Sequence, residues 1–494
     1  MAAPLPRRTS VHSSQRKILP SAFTLPWLVV VLSLVGGAFL ALPFQVQSNE
    51  VDGEELITEI LREESVHRLQ QLGEVTDGDG YLERTFLSPA SFRALDLVRD
   101  WMQDAGLTTW IDQIGNLHGR TEGNNITAPT LIIGSHLDTV IDAGKYDGSL
   151  GIICAISALK ALKASGRLSE LRRQIEIIAF CDEEGVRFQS TFLGSAAISG
   201  SLPPAIMQVS DKSGRTVQDA LKEANFEGSA ESLLQLKYDP QSVGGYIEVH
   251  IEQGPVLESL GLPLGVVQGI AGQTRLRVTV KGVQGHAGTV PMFMRQDPMA
   301  AAAELILLVE DLCKHPQSYI ARGRQYHPSA NEATTGMLVC TVGQISSWPS
   351  ASNVIPGQVT FSVDIRAVDD TEREAIFLEL GKRLQKTCER RHVSCSLERK
   401  HDAEAVHCDP ELNSKLKYAV QSAMKSMGVV QVNDVPLLVS GAGHDAIAMS
   451  RLTKVGMLFV RCRGGISHSP VEYVMEDDVW AASLALLKFL QDMV

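Results

Sequence analysis

The sequence has few aromatic residues and no excess of positive charge. Phe, Trp and Tyr make up 5% of the 494 residues, and the net charge at pH 7 is −12. Nucleic acids are bound by basic surfaces, and single strands also by stacking on aromatic rings. The composition therefore excludes a general nucleic-acid-binding protein, and we expect no nucleic-acid partner.

Regularly spaced cysteines are also missing. The eight cysteines include no CxxC pair, which argues against a structural zinc site. Cys154, Cys181 and Cys340 lie in apolar runs, where a cysteine usually serves as a small buried hydrophobic residue. The sequence therefore predicts no disulfide framework.

The N-terminal segment differs from the rest of the chain. Basic residues within the first seventeen positions precede an apolar run from about residue 27 to residue 44, a pattern typical of a secretory signal. The run approaches the ~20 residues that span a bilayer, so an uncleaved signal-anchor is an alternative, and a buried core helix is another. We assign residues 1–48 to a signal peptide or signal-anchor, the only expected membrane contact. The expected location is the lumen of the endoplasmic reticulum or another endomembrane compartment.

One Asn-Ile-Thr sequon begins at Asn125. It fits a luminal chain, but such tripeptides occur often by chance. The sequence leaves its glycosylation open.

The middle of the chain has the pattern of an α/β fold. Residues 51–120 are predicted to be helical. The runs PTLIIGSH (129–136) and QIEIIAF (174–180) are continuous and apolar, as in strands that are buried on both faces. Between them, residues 151–162 carry apolar side chains at helical spacing. Strand, helix and strand in this order predict a parallel sheet with helices on both faces.

A different pattern begins near Ile270, where the predicted elements follow the order β-α-β-β-α-β. We therefore predict the α/β class: a catalytic domain with a mainly parallel sheet flanked by helices, interrupted by a smaller α+β, ferredoxin-like domain. The predicted bounds are 51–268 and 403–494 for the two parts of the catalytic domain and 269–402 for the insert.

Metal-type side chains follow several predicted strands. Ligands gather at the carboxyl ends of parallel strands. A single histidine is more often structural, and an acidic triplet is often a solvated turn, but the joint placement favours a metal site. The residues are His136, Asp138, Asp147, Asp182, Glu183, Glu184, His250 and His468.

The spacing suggests separate roles for these groups. Residues two apart on a strand point the same way, so we expect the Asp138 carboxylate beside the His136 ring, where it would orient the ring. Neighbouring residues point oppositely, so one of Glu183 and Glu184 can bind a metal while the other serves as general base. Histidines with carboxylates suit Zn²⁺, Mn²⁺ or Co²⁺, and a shared carboxylate would bridge two cations.

Six motifs, in this order, resemble the M20-type metallopeptidase and amidohydrolase superfamily. The likeness covers nearly all of residues 55–494. It is greatest to the branch of N-carbamoyl-amino-acid and allantoate amidohydrolases, and within that branch to the plant type. The motifs are GSHLD, AGKYDGSLG, CDEEGVRF, EVHIEQGPVLE, GHAGTVPM and ISHSP.

The resemblance implies a pair of metal ions bridged by Asp147. His136 and His250 would complete one site, and Glu184 and His468 the other. The resemblance also implies that Glu183 is the general base and that Asp138 orients His136.

Substrate-binding residues are implied as well. Gln273, His286, Asn353 and Arg366 match positions that hold ureido and carboxylate groups, and Arg366 offers the planar fork that suits a carboxylate. The loop SGAGHDA (440–446), with Gly443 and His444, would line the pocket.

The implied activity is hydrolysis of allantoate at a ureido C–N bond, giving ureidoglycine, CO₂ and ammonia. It would use two Mn²⁺ per subunit, with Zn²⁺ or Co²⁺ as alternatives, in a homodimer formed through the insert. The alternatives are ureidoglycolate or an N-carbamoyl-L-amino acid as substrate and, from a different class, a non-catalytic binding homologue.

Overall fold

The computed structural model describes residues 53–319, 337–429 and 434–493. The predicted signal segment, 1–48, lies outside these ranges. Within them, no helix has the length and apolar character that crossing a bilayer requires.

The described residues form strands and helices that we number in chain order. The strands are β1 (Thr108–Ile111), β2 (Leu117–Arg120), β3 (Thr130–His136), β4 (Ile175–Phe180), β5 (Val243–Ile251), β6 (Leu264–Ile270), β7 (Gly272–Lys281), β8 (Gly285–His286), β9 (Leu338–Thr341), β10 (Ile345–Trp348), β11 (Val354–Ile355), β12 (Gln358–Ala367), β13 (Ser394–Ala403), β14 (Val406–His407), β15 (Leu437–Ser440) and β16 (Val455–Val460). The helices are α1 (Gly53–Glu59), α2 (Ser65–Gly73), α3 (Pro89–Asp104), α4 (Ser149–Ala164), α5 (Leu193–Ser199), α6 (Val217–Glu223), α7 (Ala230–Leu234), α8 (Val256–Leu260), α9 (Pro298–Lys314), α10 (Asp370–Arg390), α11 (Pro410–Ser426), α12 (Asp445–Met449) and α13 (Glu476–Gln491).

The larger sheet has nine strands in the order β1-β2-β4-β3-β5-β16-β6-β14, with β15 beside β6. Its centre, β4-β3-β5-β16, is parallel, and antiparallel pairs flank it on both sides. Every residue of β3, β4 and β16 is buried, because helices cover both faces. The predicted α/β class with a mainly parallel sheet is confirmed.

Alternate residues of the central strands pack into two separate cores. Leu131 and Ile133 of β3 join the cluster under α4, α11 and α13, whereas Ile132 joins the cluster on the other face. Side chains alternate along a strand, so one apolar run serves both faces. Burying each such side chain contributes about 1.5–3 kcal/mol. The centre of the larger sheet is therefore anchored by packing on both faces.

The smaller sheet has five strands, ordered β10-β12-β7-β13 with β9 also paired to β12, and is antiparallel throughout. Burial alternates along β12, and its inward residues pack against α9 and α10. The strands lie between Gly272 and Ala403, inside the predicted insert except for Ala403, the last residue of β13. The bounds of the insert stay a prediction.

Two expectations were wrong. Residues 108–111 and 117–120 form β1 and β2 instead of helix, and four-residue strands are too short to show a period in the sequence. Disulfides also occur, and both lie in the layer of the smaller sheet.

The disulfides link each helix of this layer to a strand. Cys313 of α9 bonds Cys340 of β9, and Cys388 of α10 bonds Cys395 of β13, with Cα atoms 6.0 and 6.1 Å apart. No cysteine motif predicts these pairs, because helix packing on the sheet brings their halves together. Among the described cysteines, Cys154, Cys181, Cys408 and Cys462 are free.

Candidate active site

The predicted metal-type residues meet at the carboxyl edge of the larger sheet. His136 is the last residue of β3, and His250 is the next to last of β5. The glutamates follow β4, Asp147 precedes α4, and His468 follows β16. The parallel centre of the sheet places all of these strand ends on one side, so residues far apart in sequence become neighbours.

The first group consists of His136, His250 and Asp147. The Nδ1 atoms of the rings lie 3.0 Å from the Asp138 carbonyl oxygen and 2.9 Å from the Ile251 carbonyl oxygen. A carbonyl only accepts hydrogen bonds, so each Nδ1 carries a proton, and in the neutral ring the lone pair is on Nε2. The two Nε2 atoms are 3.4 Å apart. Two lone pairs therefore converge on one point.

The carboxylate of Asp147 completes this convergence. Its Oδ1 lies 3.4 Å from Nε2 of His136 and 3.0 Å from Nε2 of His250, and this buried oxygen has no hydrogen-bond donor among the described residues. Burial disfavours ionised Asp147, yet His250 and the other histidines outweigh burial and hold its pKa well below its usual range. A divalent cation fits three such acceptors.

Gly148 makes this approach possible. The residue has φ of 65°, and a Cβ there would lie 2.5 Å from the His136 ring. Only glycine combines this conformation with the space that the ring requires. Close approach of the His136 ring therefore explains why a glycine follows Asp147 in the sequence motif.

A second group shares Asp147. His468 Nε2 lies 3.4 Å from Asp147 Oδ2 and 3.3 Å from Glu184 Oε1. Hydrogen bonds to Asp147 and Glu184 raise the pKa of His468 to about 10. One ligand atom from each member lies within 4.8 Å of the others, as in the first group. A carboxylate that belongs to both groups has the position of a bridging ligand.

Three further residues hold Asp147, and the sequence reasoning missed them. Gln253 and Ser467 donate hydrogen bonds to its Oδ2 over 2.9 and 2.5 Å. Glu472 accepts hydrogen bonds from the backbone N–H groups of Tyr146 and Asp147 at 2.8 and 3.1 Å. Gln253 and Ser467 stand inside the quoted motifs, whereas no sequence signal distinguishes Glu472.

The segment that carries Asp182, Glu183 and Glu184, called the glutamate turn below, differs from its expected geometry. Strands β3 and β4 end at His136 and Phe180, so Asp138 and the glutamates lie beyond regular strand. Asp182 has φ of 55°, and the chain turns sharply there.

Asp138 performs two tasks in this turn. Its carbonyl oxygen, not its carboxylate, accepts from the His136 ring; the carboxylate is 3.9 Å from that ring. The carboxylate instead accepts from the N–H groups of Glu183 and Glu184 at 3.1 and 3.2 Å. Asp138 therefore orients the ring through its backbone and holds the glutamates through its side chain.

Glu183 lies next to the first group of ligands. Its Oε2 is 4.0 Å from Nε2 of His136, and the residue is buried. Burial, opposed by His136 and reinforced by Glu184, raises the pKa of Glu183 well above its usual range. A raised pKa makes a carboxylate a stronger proton acceptor, as a general base requires.

Gly443 and His444 lie beneath the first group. The His444 ring is 4.5 Å from that of His250, and its Nε2 is 2.6 Å from the Ser440 hydroxyl. Burial and then His250 lower the pKa of His444 well below its usual range, so the ring is neutral. A Cβ at Gly443 would lie 2.7 Å from the Phe192 ring. In this structure His444 packs against His250 and Ser440, and Gly443 packs against Phe192.

Gln273 and Arg366 face each other across β7 and β12. Both contact Asp364: Gln273 Nε2 donates over 2.8 Å, and Arg366 donates from Nε and Nη2 over 3.2 and 3.0 Å. Arg366 Nη1 also donates to the Gly441 carbonyl over 2.6 Å. A cleft of about 860 Å³ is lined by Arg366, Asp364 and Gly441 and extends to Gln253.

His286 and Asn353 lie apart from this cleft, at the short β8–β11 pair, where His286 is opposite Val354. They lie on β8 and beside β11, where Ala287 donates to the Asn353 carbonyl over 2.9 Å. Both side chains are exposed. Within the described ranges, no hydrogen bond joins either residue to the metal-type cluster. The structure thus groups the predicted ligands, Glu183 and Asp138 closely, but not these two residues.

The comparisons with known proteins agree with this geometry. The family model "Peptidase family M20/M25/M40" matches residues 132–492. The chain is 65% identical over 433 residues to an allantoate deiminase of Arabidopsis thaliana, covering 87% of this chain and 82% of that protein. It is 37% identical over 419 residues to an N-carbamoyl-L-amino-acid amidohydrolase of a Pseudomonas strain, covering 85% and 95%.

A solved structure has the same fold. The amidase of the hydantoinase/carbamoylase family from Burkholderia multivorans superposes with a TM-score of 0.75 and 27% sequence identity. The match covers 87% of this chain and 97% of that one.

Proposed function

We propose a function from one premise: this chain belongs to the peptidase family M20/M25/M40. Within the family it is a metal-dependent amidohydrolase, and its reaction is hydrolysis of allantoate at a ureido C–N bond. The products are ureidoglycine, CO₂ and ammonia. The 65% identity to the Arabidopsis thaliana allantoate deiminase carries this conclusion, and the cluster around Asp147 supplies the chemistry.

The cofactor is a pair of divalent cations held by the two groups that share Asp147. The converging lone pairs and the unpartnered buried oxygen fit such ions. Bound there, they would polarise the scissile carbonyl and acidify a water. We propose Mn²⁺ as the physiological metal. Zn²⁺ and Co²⁺ are alternatives, because they share these ligands.

The protein's own residues move the proton and orient the substrate. Glu183 takes a proton from the attacking water and passes it to the departing nitrogen. Asp138 keeps Glu183 in place through the N–H contact described above. The Arg366 guanidinium binds the carboxylate of allantoate, and Gln273 donates from its side-chain amide to a ureido oxygen.

We also propose a homodimer formed through the smaller sheet. Strand β10 is the last strand on one side of that sheet, and its Ile345 and Trp348 are 52% and 71% exposed. Exposed apolar residues on an edge strand favour pairing with another chain. Sedimentation at two protein concentrations measures the oligomeric state.

The proposed location is the lumen of the endoplasmic reticulum or a related compartment, reached through residues 1–48 as signal peptide or signal-anchor. The two disulfides support this proposal, because stable disulfides form in oxidising compartments. Fractionation with protease protection of the intact membranes tests it.

One assay tests the proposed reaction. The purified chain is stripped with a chelator, reloaded with Mn²⁺ and incubated with allantoate while ammonia is measured. Turnover should require added metal and should fall by about 10²–10⁴-fold in Glu183→Gln, which keeps its metal. Parallel reactions use ureidoglycolate and N-carbamoyl-L-amino acids. The 37% identity to an N-carbamoyl-L-amino-acid amidohydrolase makes the latter the second candidate. Turnover of one of these substrates without turnover of allantoate would reject our substrate assignment. A chain that binds allantoate and metal but turns over none of them would be the non-catalytic homologue.

A further inference from the structure

The tripeptide Asn125-Ile126-Thr127 has an ordered conformation in the loop between β2 and β3. Thr127 donates to the Asn125 side-chain oxygen Oδ1 twice, from its N–H over 3.0 Å and from its hydroxyl over 2.7 Å. The Ala128 N–H donates to the Asn125 carbonyl over 3.3 Å, which closes a turn. The Asn124 N–H, donating to the Leu171 carbonyl over 2.9 Å, ties the loop to its neighbour.

This arrangement leaves the amide nitrogen of Asn125 available. The amide oxygen is fully used by Thr127. Among the described residues, no hydrogen bond involves Nδ2, and Asn125 is exposed. Ile126 beside it is 76% exposed, an unusual position for a large apolar side chain. A sugar attached to Nδ2 would cover this apolar surface.

The loop lies at the amino-terminal edge of the larger sheet, and the catalytic residues lie at the carboxyl edge. Asn125 stands five residues before β3, whose last residue is His136. A strand of this length spans about 20 Å. The cleft and the smaller sheet are at the carboxyl edge, so a bulky group at Asn125 would leave the active site open.

We propose that Asn125 is an N-glycosylation site of the mature protein. The inference rests on the proposed luminal location, because the transfer occurs there. The Nδ2 atom forms a bond to the anomeric carbon of an oligosaccharide carried on a lipid diphosphate. The lipid diphosphate leaves with the electron pair of the broken C–O bond, and Nδ2 loses one proton to a base. In the folded protein the Thr127 hydroxyl donates to Oδ1 and leaves Nδ2 without a hydrogen bond among the described residues.

Expression of the full chain in a eukaryotic host, followed by electrophoresis with and without an N-glycan endoglycosidase, tests the proposal. Wild type and Thr127→Ser should show one mobility shift that the endoglycosidase removes. Asn125→Gln and Thr127→Ala should show none. Thr127→Ala keeps the asparagine, so its result shows whether modification depends on the complete sequon and not only on the presence of Asn125.

A control sequon shows whether the chain reaches the transfer machinery. Arg451→Asn creates Asn-Leu-Thr in the turn before β16, where residue 451 is exposed. Combined with Asn125→Gln, it should restore one glycan. A shift in this double variant without a shift in wild type would show that Asn125 is no acceptor. No shift in either chain would overturn the proposal together with the luminal location.

Activity on allantoate, measured in the same samples, separates this inference from the proposed reaction. Because the loop is remote from the cleft, wild type and Asn125→Gln should differ by less than twofold in kcat and KM for allantoate. A larger loss in Asn125→Gln with metal content unchanged would contradict the placement of the glycan away from the site.

Discussion

The carboxyl edge of the larger sheet and the cleft face of the smaller sheet both carry predicted site residues, yet they are built differently. At the first, the ligands are mostly buried and are held by backbone groups and neighbouring side chains. At the second, Gln273 and Arg366 are half-buried, while the predicted partners His286 and Asn353 are exposed on the separate β8–β11 pair. Metal ligation needs positions accurate to a few tenths of an ångström, which a packed parallel sheet provides. Gln273 and Arg366, the predicted substrate-binding residues of this sheet, lie on strands with half-buried polar side chains beside a cleft.

The largest effect should come from Asp147, the carboxylate common to both metal groups. Asp147→Asn removes a charge from both groups, and we expect turnover of allantoate to fall below detection. Loss of a residue that only supports a ligand already weakens metal binding by about 10–100-fold. Metal content after gel filtration and ammonia release measure the effect. Asp142→Asn, in the same loop but exposed, serves as control. Full activity in Asp147→Asn would disprove the shared-ligand geometry.

The adjacent glutamates should separate by their effect on metal. Glu183→Gln removes a proton acceptor without removing a ligand, so kcat should fall by about 10²–10⁴-fold while metal content stays the same. Glu184→Gln should lose metal from one site. The two variants are matched in chemistry and differ only in position. If both lose metal equally, the glutamates do not have separate roles.

A buried charge cluster beneath the glutamate turn should make stability depend on pH. His118 lies 3.2 Å from Asp112 Oδ2 and 2.8 Å from Glu176 Oε1. Asn116 donates to that same Asp112 oxygen over 2.8 Å and accepts from the Cys181 N–H over 3.1 Å. The cluster thus reaches the start of the turn that bears Glu183.

Burial lowers the pKa of His118, but hydrogen bonds and charges from Asp112 and Glu176 outweigh it and raise the pKa to about 9. A pKa raised above the unfolded value of about 6.5 stabilises the fold by about 3 kcal/mol below pH 6.5. This contribution is lost as pH rises through 9. The free energy of unfolding of wild type and of His118→Gln can be measured with denaturant at pH 6 and pH 9.5. The two values should differ less at pH 9.5 than at pH 6. If this difference in unfolding free energy were the same at both pH values, His118 would not be protonated in the folded protein at pH 6.

The smallest effect should occur at the cleft face. Arg366→Lys loses the planar fork, and KM for allantoate should rise by about 10–100-fold with kcat within about threefold, because charged hydrogen bonds contribute about 1.5–3 kcal/mol. Arg275→Lys is the matched control. Arg275 lines the same cleft, but it is mostly exposed and its Nε is 3.5 Å from Asp364, so KM should change by less than about fivefold. If the two substitutions raised KM equally, Arg366 would not be the arginine that binds the substrate carboxylate.

Most of the metal-type residues could be predicted from sequence because they stand at or after the ends of apolar runs that form buried strands, whereas Asp147 stands in the loop before α4. Parallel strands share one carboxyl edge, so residues separated by more than 300 positions, such as His136 and His468, must meet. The contacts that hold them were not predictable in the same way. Glu472 reaches the backbone of Asp147 from a loop after β16, and nothing in its local sequence points there.

Local sequence also determined the class of the fold and the alternation that separates the two cores, because burial periodicity is a property of neighbouring residues. Only the tertiary structure decided which oxygen of Asp138 contacts His136, that the glutamates stand on a turn instead of a strand, and which cysteines pair. These outcomes depend on where distant segments end and how helices lie on a sheet. The physical reason is that a hydrogen bond or disulfide requires two groups at a set distance, and sequence periodicity specifies only the direction of each side chain relative to its own strand or helix.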